Sequence, residues 1–309
     1  MTSPPSRAPA RPGLGVGMGF VVAIGLAAVI LSTRVVAQEP DTRPGSGSAR
    51  VEAVAPFSGT LQRIHERGFI RLGHRRNSPP FAFVPEGGGA PVGYSLDLCA
   101  LVVETVGQEL HRTDLRVEFV PVTPEDRFER VAAGDVDLEC GSSTHTRERE
   151  ALVAFSPTIF VTGTKLLVKR ASTVRSLRDL DGRTVVLTSG TVQAEVVPRL
   201  AERRRLKINF VFAKDHDESL ARVVSGQADA FANDDVQLYG LVATRREAAD
   251  LRVVGDFLTY ADYALVLRKD DPAFAEVVQR TFARLAASSE VRAIYRRWFQ
   301  QPLPSGVRL

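Results

Sequence analysis

The residues from Val136 to Arg149 read Val-Asp-Leu-Glu-Cys-Gly-Ser-Ser-Thr-His-Thr-Arg-Glu-Arg. An alternating run (Val136, Leu138, Cys140) ends in Gly141, then Ser142, Ser143 and Thr144 supply hydroxyls and Arg147 and Arg149 supply guanidinium groups. A strand that runs into glycine and hydroxyls, with a helix start after it, makes a cradle for an anion. Backbone N–H groups and hydroxyls donate to a carboxylate or phosphate, and an arginine closes on it in bidentate fashion. The stretch lacks the Gly-Lys-Ser/Thr of a nucleotide phosphate loop, which leaves a small carboxylate as the better-matched ligand. The same residues also fit an ordinary helix cap with a solvated arginine, and this stretch alone does not separate the two readings.

The elements around it alternate. A short helix over Leu61 to Arg67 precedes a strand over Phe69 to Gly73, a loop from Arg75 to Pro80 and an extended Phe81 to Val84. Leu96 to Leu110 reads as an amphipathic helix, Leu115 to Val120 as a strand, Pro124 to Ala133 as a helix and Val136 to Cys140 as a strand. This β-α-β-α-β order is that of a parallel sheet covered by helices. The pattern then repeats. Strands are expected at 164–169, 184–187, 207–212, 228–233, 251–254 and 264–267. Helices are expected at 191–203, 217–225, 235–244, 272–288 and 289–299. In open α/β sheets ligands sit outside the carboxyl ends of strands. Arg75, Ser142 to Thr144, Thr188 to Thr191, His216 and Asp234 all fall at such ends. Two such units facing each other form a cleft that closes like a hinge.

The 309 residues suffice for two ordinary domains, and two Cys with one Trp exclude a disulfide scaffold. The formal net charge of +4 is concentrated at the start of the chain. Residues 1–37 hold Arg7, Arg11 and Arg34 and no acid, so the remainder lies one charge from neutral and lacks the basic block of a nucleic-acid binder. The apolar run from Gly13 to Ser32, followed by Val35-Val36-Ala37, reads as a signal peptide cleaved before Gln38, with an uncleaved anchor as the alternative. Residues 38–56 are rich in Gly, Pro and Ser and read as a flexible linker. Export makes a Cys99–Cys140 disulfide chemically possible, but the sequence does not show that they meet, and two buried unpaired thiols are expected.

Several runs together resemble the periplasmic amino-acid-binding proteins of ABC importers, and within them the glutamate/aspartate-binding branch. These are Gly73-His74-Arg75, Pro80-Phe81, Gly93-Tyr94-Ser95-Leu96-Asp97 and Glu139-Cys140-Gly141-Ser142 with Arg149 after it. Phe155 to Val161, Thr188-Ser189-Gly190-Thr191, Ala213-Lys214-Asp215-His216, Asn233-Asp234-Asp235 and Leu267 to Pro272 continue the series over roughly residues 60–303. The resemblance implies an α/β, two-lobed periplasmic-binding-protein fold of type II. Each lobe is a mixed or parallel sheet flanked by helices, and the ligand cleft lies between them. Residues 57–162 and 261–309 would form the first lobe and residues 163–260 the second. It also implies a periplasmic receptor, a monomer without cofactor, metal or catalytic residues. Its partners would be an acidic L-amino acid and the permease subunits of the inner membrane.

By the same resemblance, Arg149 with Ser142 and Thr144 grips the ligand's α-carboxylate, Thr191 adds an N–H and a hydroxyl from the other lobe, and Asp234 holds the ammonium. Arg75, Arg127 and His216 match the positive group for the distal carboxylate. Each has an alternative. Asp234 also fits the N-cap of the following helix, Arg75 a solvated loop residue, Arg127 a surface ion pair with Glu125, Asp126 or Glu129, and His216 a helix cap. The branch often has Ser where this chain has Pro124, which leaves glutamate, aspartate and amide side chains undecided. A second branch cysteine falls near Leu265 here, so Cys99 is additional. Cyclohexadienyl dehydratases share the fold, but no lone acid stands where their general acid would be.

Overall fold

The computed structural model describes residues 57–300. The first elements are α1 (Gly59–Arg67), β1 (Phe69–His74), β2 (Asn77–Ser78), β3 (Ala82–Phe83), α2 (Tyr94–Glu109) and β4 (Arg116–Pro121). Then come α3 (Arg127–Ala133), β5 (Leu138–Thr144), β6 (Val153–Phe155) and β7 (Phe160–Lys169). The middle of the chain forms β8 (Thr184–Thr188), α4 (Val192–Arg203), β9 (Asn209–Ala213), α5 (His216–Ser225), β10 (Ala230–Asp234), α6 (Asp235–Thr244) and β11 (Leu251–Val254). The described residues end with β12 (Tyr260–Arg268), α7 (Pro272–Ala286) and α8 (Glu290–Phe299). The signal peptide and linker expected over residues 1–56, and the last nine residues of the expected first lobe, lie outside the described part.

The strands fall into two mixed sheets joined where β7 pairs with β12. In one sheet β4, β1 and β5 run parallel, and β12 lies antiparallel against β5 and β6. In the other, β9, β8 and β10 run parallel, and β7 lies antiparallel against β10 and β11. The start of β7 pairs with the start of β12, Phe160 with Tyr263 and Gly163 with Tyr260, while the rest of β7 pairs with β10 and β11. β7 thus runs from one lobe into the other, and β12 joins it at the crossing. The expected two-lobed α/β architecture is the one observed.

Each lobe has its own core. Leu61, Ile64, Leu98, Val102, Leu138, Phe274 and Val278 pack α1, α2 and α7 onto the first sheet. In the second lobe Val174, Leu177, Leu180, Val197 and Leu200 cover one face of the sheet. Leu220, Val223, Leu238 and Leu241 cover the other. Burial of each such side chain contributes about 1.5–3 kcal/mol. These faces follow the apolar spacing of the sequence, and the caps follow its polar residues. Asp271 accepts from Phe274 N ahead of Pro272, and Asp215 accepts from Glu218 N ahead of α5.

Three expectations are corrected. The strand expected to stop at Cys140 continues as β5 to Thr144, and the expected helix is reduced to one 3-10 turn at Arg149–Ala151. The apolar alternation ends at Cys140 because β5 there leaves the core and faces the cleft, while Ser143 and Thr144 still pair with Ala264 and Tyr263. The helix expected from Pro124 begins at Arg127, since Thr123 and Asp126 bond to each other's backbone N–H and close a turn first. The expected free thiols are joined in a Cys99–Cys140 disulfide, with Cα atoms 6.3 Å apart. Both are fully buried, Cys99 on the face of α2 that packs on β5. Sequence periodicity shows that each points inward but not that they point at each other.

Candidate ligand-binding site

A small polar cavity lies where the strand ends of the two lobes meet. It is lined by Arg75 after β1, Arg127 at the start of α3, Ser142 and Thr144 on β5, and Thr191 and Gln193 at the start of α4. His216 at the start of α5, Asn233 and Asp234 at the end of β10, Gln237 on α6 and Tyr263 on β12 complete it with Val192. Seven of the eight residues expected from the sequence therefore converge on one space. The eighth, Arg149, lies outside the lining. Its Nη1 donates to Thr144 O at 2.8 Å and its Nη2 to Gly190 O at 3.3 Å. The space open to the centre of a water-sized sphere is about 10 Å³, room for roughly one water. An amino acid enters only if the lobes part.

Arg75 and Arg127 are each 4% exposed. This removes the solvated-loop alternative for Arg75 and the surface-ion-pair alternative for Arg127. Arg75 Nη2 donates to Asn77 Oδ1 at 3.3 Å. Arg127 donates through Nε to Ser143 Oγ at 2.8 Å, and through its terminal nitrogens to Pro124 O and Gly190 O. The Phe128 ring lies 4.3 Å from the Arg127 guanidinium and 4.6 Å from that of Arg149, so one aromatic side chain supports both cations. Burial pulls the Arg75 pKa down to about 10, and burial with the nearby Arg149 and Arg75 pulls that of Arg127 well down. Cations held this way gain from an incoming anion.

His216 differs from the expectation. Burial, with Arg75 and Arg127 nearby, lowers its pKa well below the usual histidine value. It is a neutral imidazole at neutral pH, not a positive group. Nor does it cap α5, a role filled by Asp215. Its Nδ1 is hydrogen-bonded to Thr188 Oγ1 at 2.9 Å, which orients the ring. It offers the cavity a hydrogen bond without a charge.

Asp234 occupies the N-cap position of α6, but its side chain makes no capping bond. Gln193 Nε2 donates to Oδ1 at 2.8 Å, Thr164 Oγ1 to the same oxygen at 3.3 Å, and the Tyr263 hydroxyl to Oδ2. Tyr263 Oη accepts from Gln237 Nε2 at 2.9 Å, and Gln237 accepts from Asn233. Burial raises the Asp234 pKa to about 6 despite the bonds from Tyr263 and Thr164. A buried carboxylate poised in this way is stabilised by an ammonium. Thr191 is the N-cap of α4. Its hydroxyl accepts from Ala194 N at 3.3 Å and donates to Thr188 O at 2.6 Å. Gln193, Asn233, Gln237 and Tyr263 were not singled out from the sequence. Gln193 lies one turn into an expected helix and Tyr263 on a returning strand, and neither position carries a local chemical signal.

Gly190 brings the lobes together. A Cβ on it would lie 2.6 Å from Pro124 O, and its φ is +70°. Only glycine tolerates both at once. Its carbonyl accepts from both Arg127 and Arg149, so one residue of the second lobe joins two arginines of the first.

A polar cavity between two lobes joined by two strands is the architecture of a solute-binding protein. The chain superposes on an ancestral arginine-binding protein bound to glutamine with a TM-score of 0.68 and 25% sequence identity, covering 76% of this chain and 99% of that one. It is 41% identical to the L-glutamate/L-aspartate-binding protein of Pseudomonas aeruginosa over 80% of this chain and 82% of the relative. It is 36% identical to the glutamate/aspartate import solute-binding protein of Escherichia coli over 84% of this chain and 86% of the relative. Residues 70–301 match the family profile described as bacterial extracellular solute-binding proteins, family 3. The chain belongs to this family. Among the described residues no helix is long and apolar enough to cross a membrane.

Proposed function

We propose that the protein is an exported receptor for acidic L-amino acids, glutamate or aspartate, which closes on its ligand and delivers it to the permease of an ABC importer. The observation that carries this reading is the pair of buried arginines, Arg75 and Arg127, beside the neutral His216 and in the same cavity as Asp234. An acidic amino acid has two carboxylates and one ammonium. In this reading Arg75, Arg127 and His216 receive the distal carboxylate and Asp234 the ammonium. Arg149, turning from the Thr144 carbonyl, takes the α-carboxylate with Ser142, Thr144 and the start of α4 at Thr191. The names of the relatives agree with this ligand class.

Ligand would settle first on the lobe carrying Arg75, Arg127 and β5. The other lobe, taken as residues 163–260, then closes through Thr191, His216 and Asp234. The first lobe is taken as residues 57–162 and 261–309. Export would follow cleavage after Ala37, and residues 38–56 would join the body to the membrane if the segment stayed attached. No bond is made or broken. Arg75→Ala tests the reading. Charge-assisted hydrogen bonds contribute roughly 1.5–3 kcal/mol each, so glutamate affinity should fall by at least tenfold and glutamine affinity by much less. Equal losses for the two ligands would sink the distal-carboxylate assignment.

A further inference from the structure

Beside the two cavity arginines lies an acid that the ligand scheme leaves unused. Glu139, on β5, is 0% exposed, and neither of its carboxylate oxygens reaches solvent. Its position is marked by Gly141. A Cβ added there would fall on Glu139 Oε1 and lie 3.2 Å from Arg75 Cγ. The Glu139 carboxyl and the Arg75 side chain therefore pass over the same face of that glycine. The Ser143 hydroxyl next to the Glu139 carboxyl is the one that accepts from Arg127 Nε. One acid thus sits behind both arginines. Burial raises its pKa, and the charges of Arg127 and Arg75, with the Ser143 hydroxyl and the Gly141 N–H, pull the other way and favour the ionised form.

A fully buried carboxylate is costly unless opposite charge compensates it. Two buried guanidinium groups in a tight cavity are equally costly without an anion. We propose that Glu139 is the built-in counter-charge of the distal pocket, cancelling one of the two arginine charges so that the pocket is selective for a side chain carrying a single negative charge. Arg75 and Arg127 bring two positive charges, Glu139 removes one, and His216 adds none. One positive charge remains, which matches one carboxylate. Glu139 does not touch ligand. It is a positioning and specificity residue that acts through Arg75 and Arg127. The inference rests on the acidic-amino-acid reading given above.

Glu139→Gln removes the charge and keeps the shape. The probes are L-glutamate and O-phospho-L-serine, whose side chain carries close to two negative charges at pH 7.5. Both are titrated by calorimetry into the native and Glu139→Gln proteins. The extra size of the phosphate is the same for both proteins, so the ratio of the two affinities isolates charge. The expected result is a shift of that ratio by at least tenfold towards phosphoserine in Glu139→Gln. A ratio within twofold of the native value overturns the proposal. Failure of the native protein to bind glutamate overturns the functional reading and this inference with it. If native glutamate binding stands and the ratio does not move, only the inference falls. Should Glu139→Gln not fold, a charge-balanced pair replaces it. Arg75→Gln alone leaves the pocket with no net charge, and the double Arg75→Gln, Glu139→Gln variant restores one positive charge. Glutamate affinity at least fivefold higher in the double variant than in Arg75→Gln supports the proposal, and equal or lower affinity overturns it.

Discussion

Lowering the pH from 7 to 5 should weaken glutamate binding about tenfold, through Asp234. Burial raises its pKa from an ordinary 3.8 to about 6. Ionised, it is the only acid lining the cavity among the described residues and the proposed ammonium partner. Protonated, it offers that ammonium nothing. The ligand-free protein must release the proton before binding. With a pKa of about 6 the fraction ready to bind falls from roughly nine-tenths at pH 7 to one-tenth at pH 5, a tenfold loss or about 1.4 kcal/mol. Folding stability responds with the opposite sign. A carboxyl whose folded pKa is raised favours the folded state at low pH, and that contribution is lost as pH rises through about 6. The Asp234 contribution to stability should therefore grow by about 1.3 kcal/mol between pH 7 and 5. The neutral, buried His216 pulls stability the other way as pH falls below the usual histidine pKa. Stability is therefore compared between the native protein and Asp234→Asn, which share His216. Calorimetric titration with glutamate at half-unit pH steps reads the affinity, and chemical denaturation reads the stability. An affinity that stays level or rises from pH 7 to 5 refutes the role given to Asp234.

Three further outcomes follow from named contacts. Gly190→Ala places a methyl 2.6 Å from Pro124 O at a φ of +70°, so glutamate affinity should drop at least tenfold by titration while each lobe keeps its fold by circular dichroism. Reducing the Cys99–Cys140 disulfide opens a 41-residue separation, and the chain-entropy model puts the loss of stability on the order of 4 kcal/mol, read by denaturation with and without reductant. Tyr263→Phe removes a donor to Asp234 and strands Gln237 Nε2. The loss of glutamate affinity should be about 1–3 kcal/mol by titration, with a midpoint for its pH dependence above that of the native protein.

Much of this architecture was legible because it rests on short-range rules. The apolar spacing of α2, α4 and α5, the glycine after α5 and the Asp271-Pro272 start of α7 each fix an element locally. The strand-end rule then collected six cavity residues that no single motif would have joined, and the family resemblance added Arg127. What the sequence hid depends on contacts between distant segments. β5 carries hydroxyls along a strand edge that looks like a helix start until β12 pairs with it. Cys99 and Cys140 both read as buried, and only the packing of α2 on β5 sets them face to face. The charge of His216 could not be read from its type, because its burial, with Arg75 and Arg127 beside it, keeps it neutral. Glu139 looked like one more residue of a strand, and its place behind the arginines emerges only from the fold.

The central claim is that a pair of buried guanidinium groups makes this cleft a site for a second carboxylate. The most direct measurement is a calorimetric titration of the native protein with L-glutamate, L-aspartate, L-glutamine and L-asparagine at pH 7.5. At least one acid should bind at least tenfold more tightly than its own amide, since one charge-assisted contact to a buried arginine contributes roughly 1.5–3 kcal/mol. An amide that binds as tightly as the corresponding acid would contradict it.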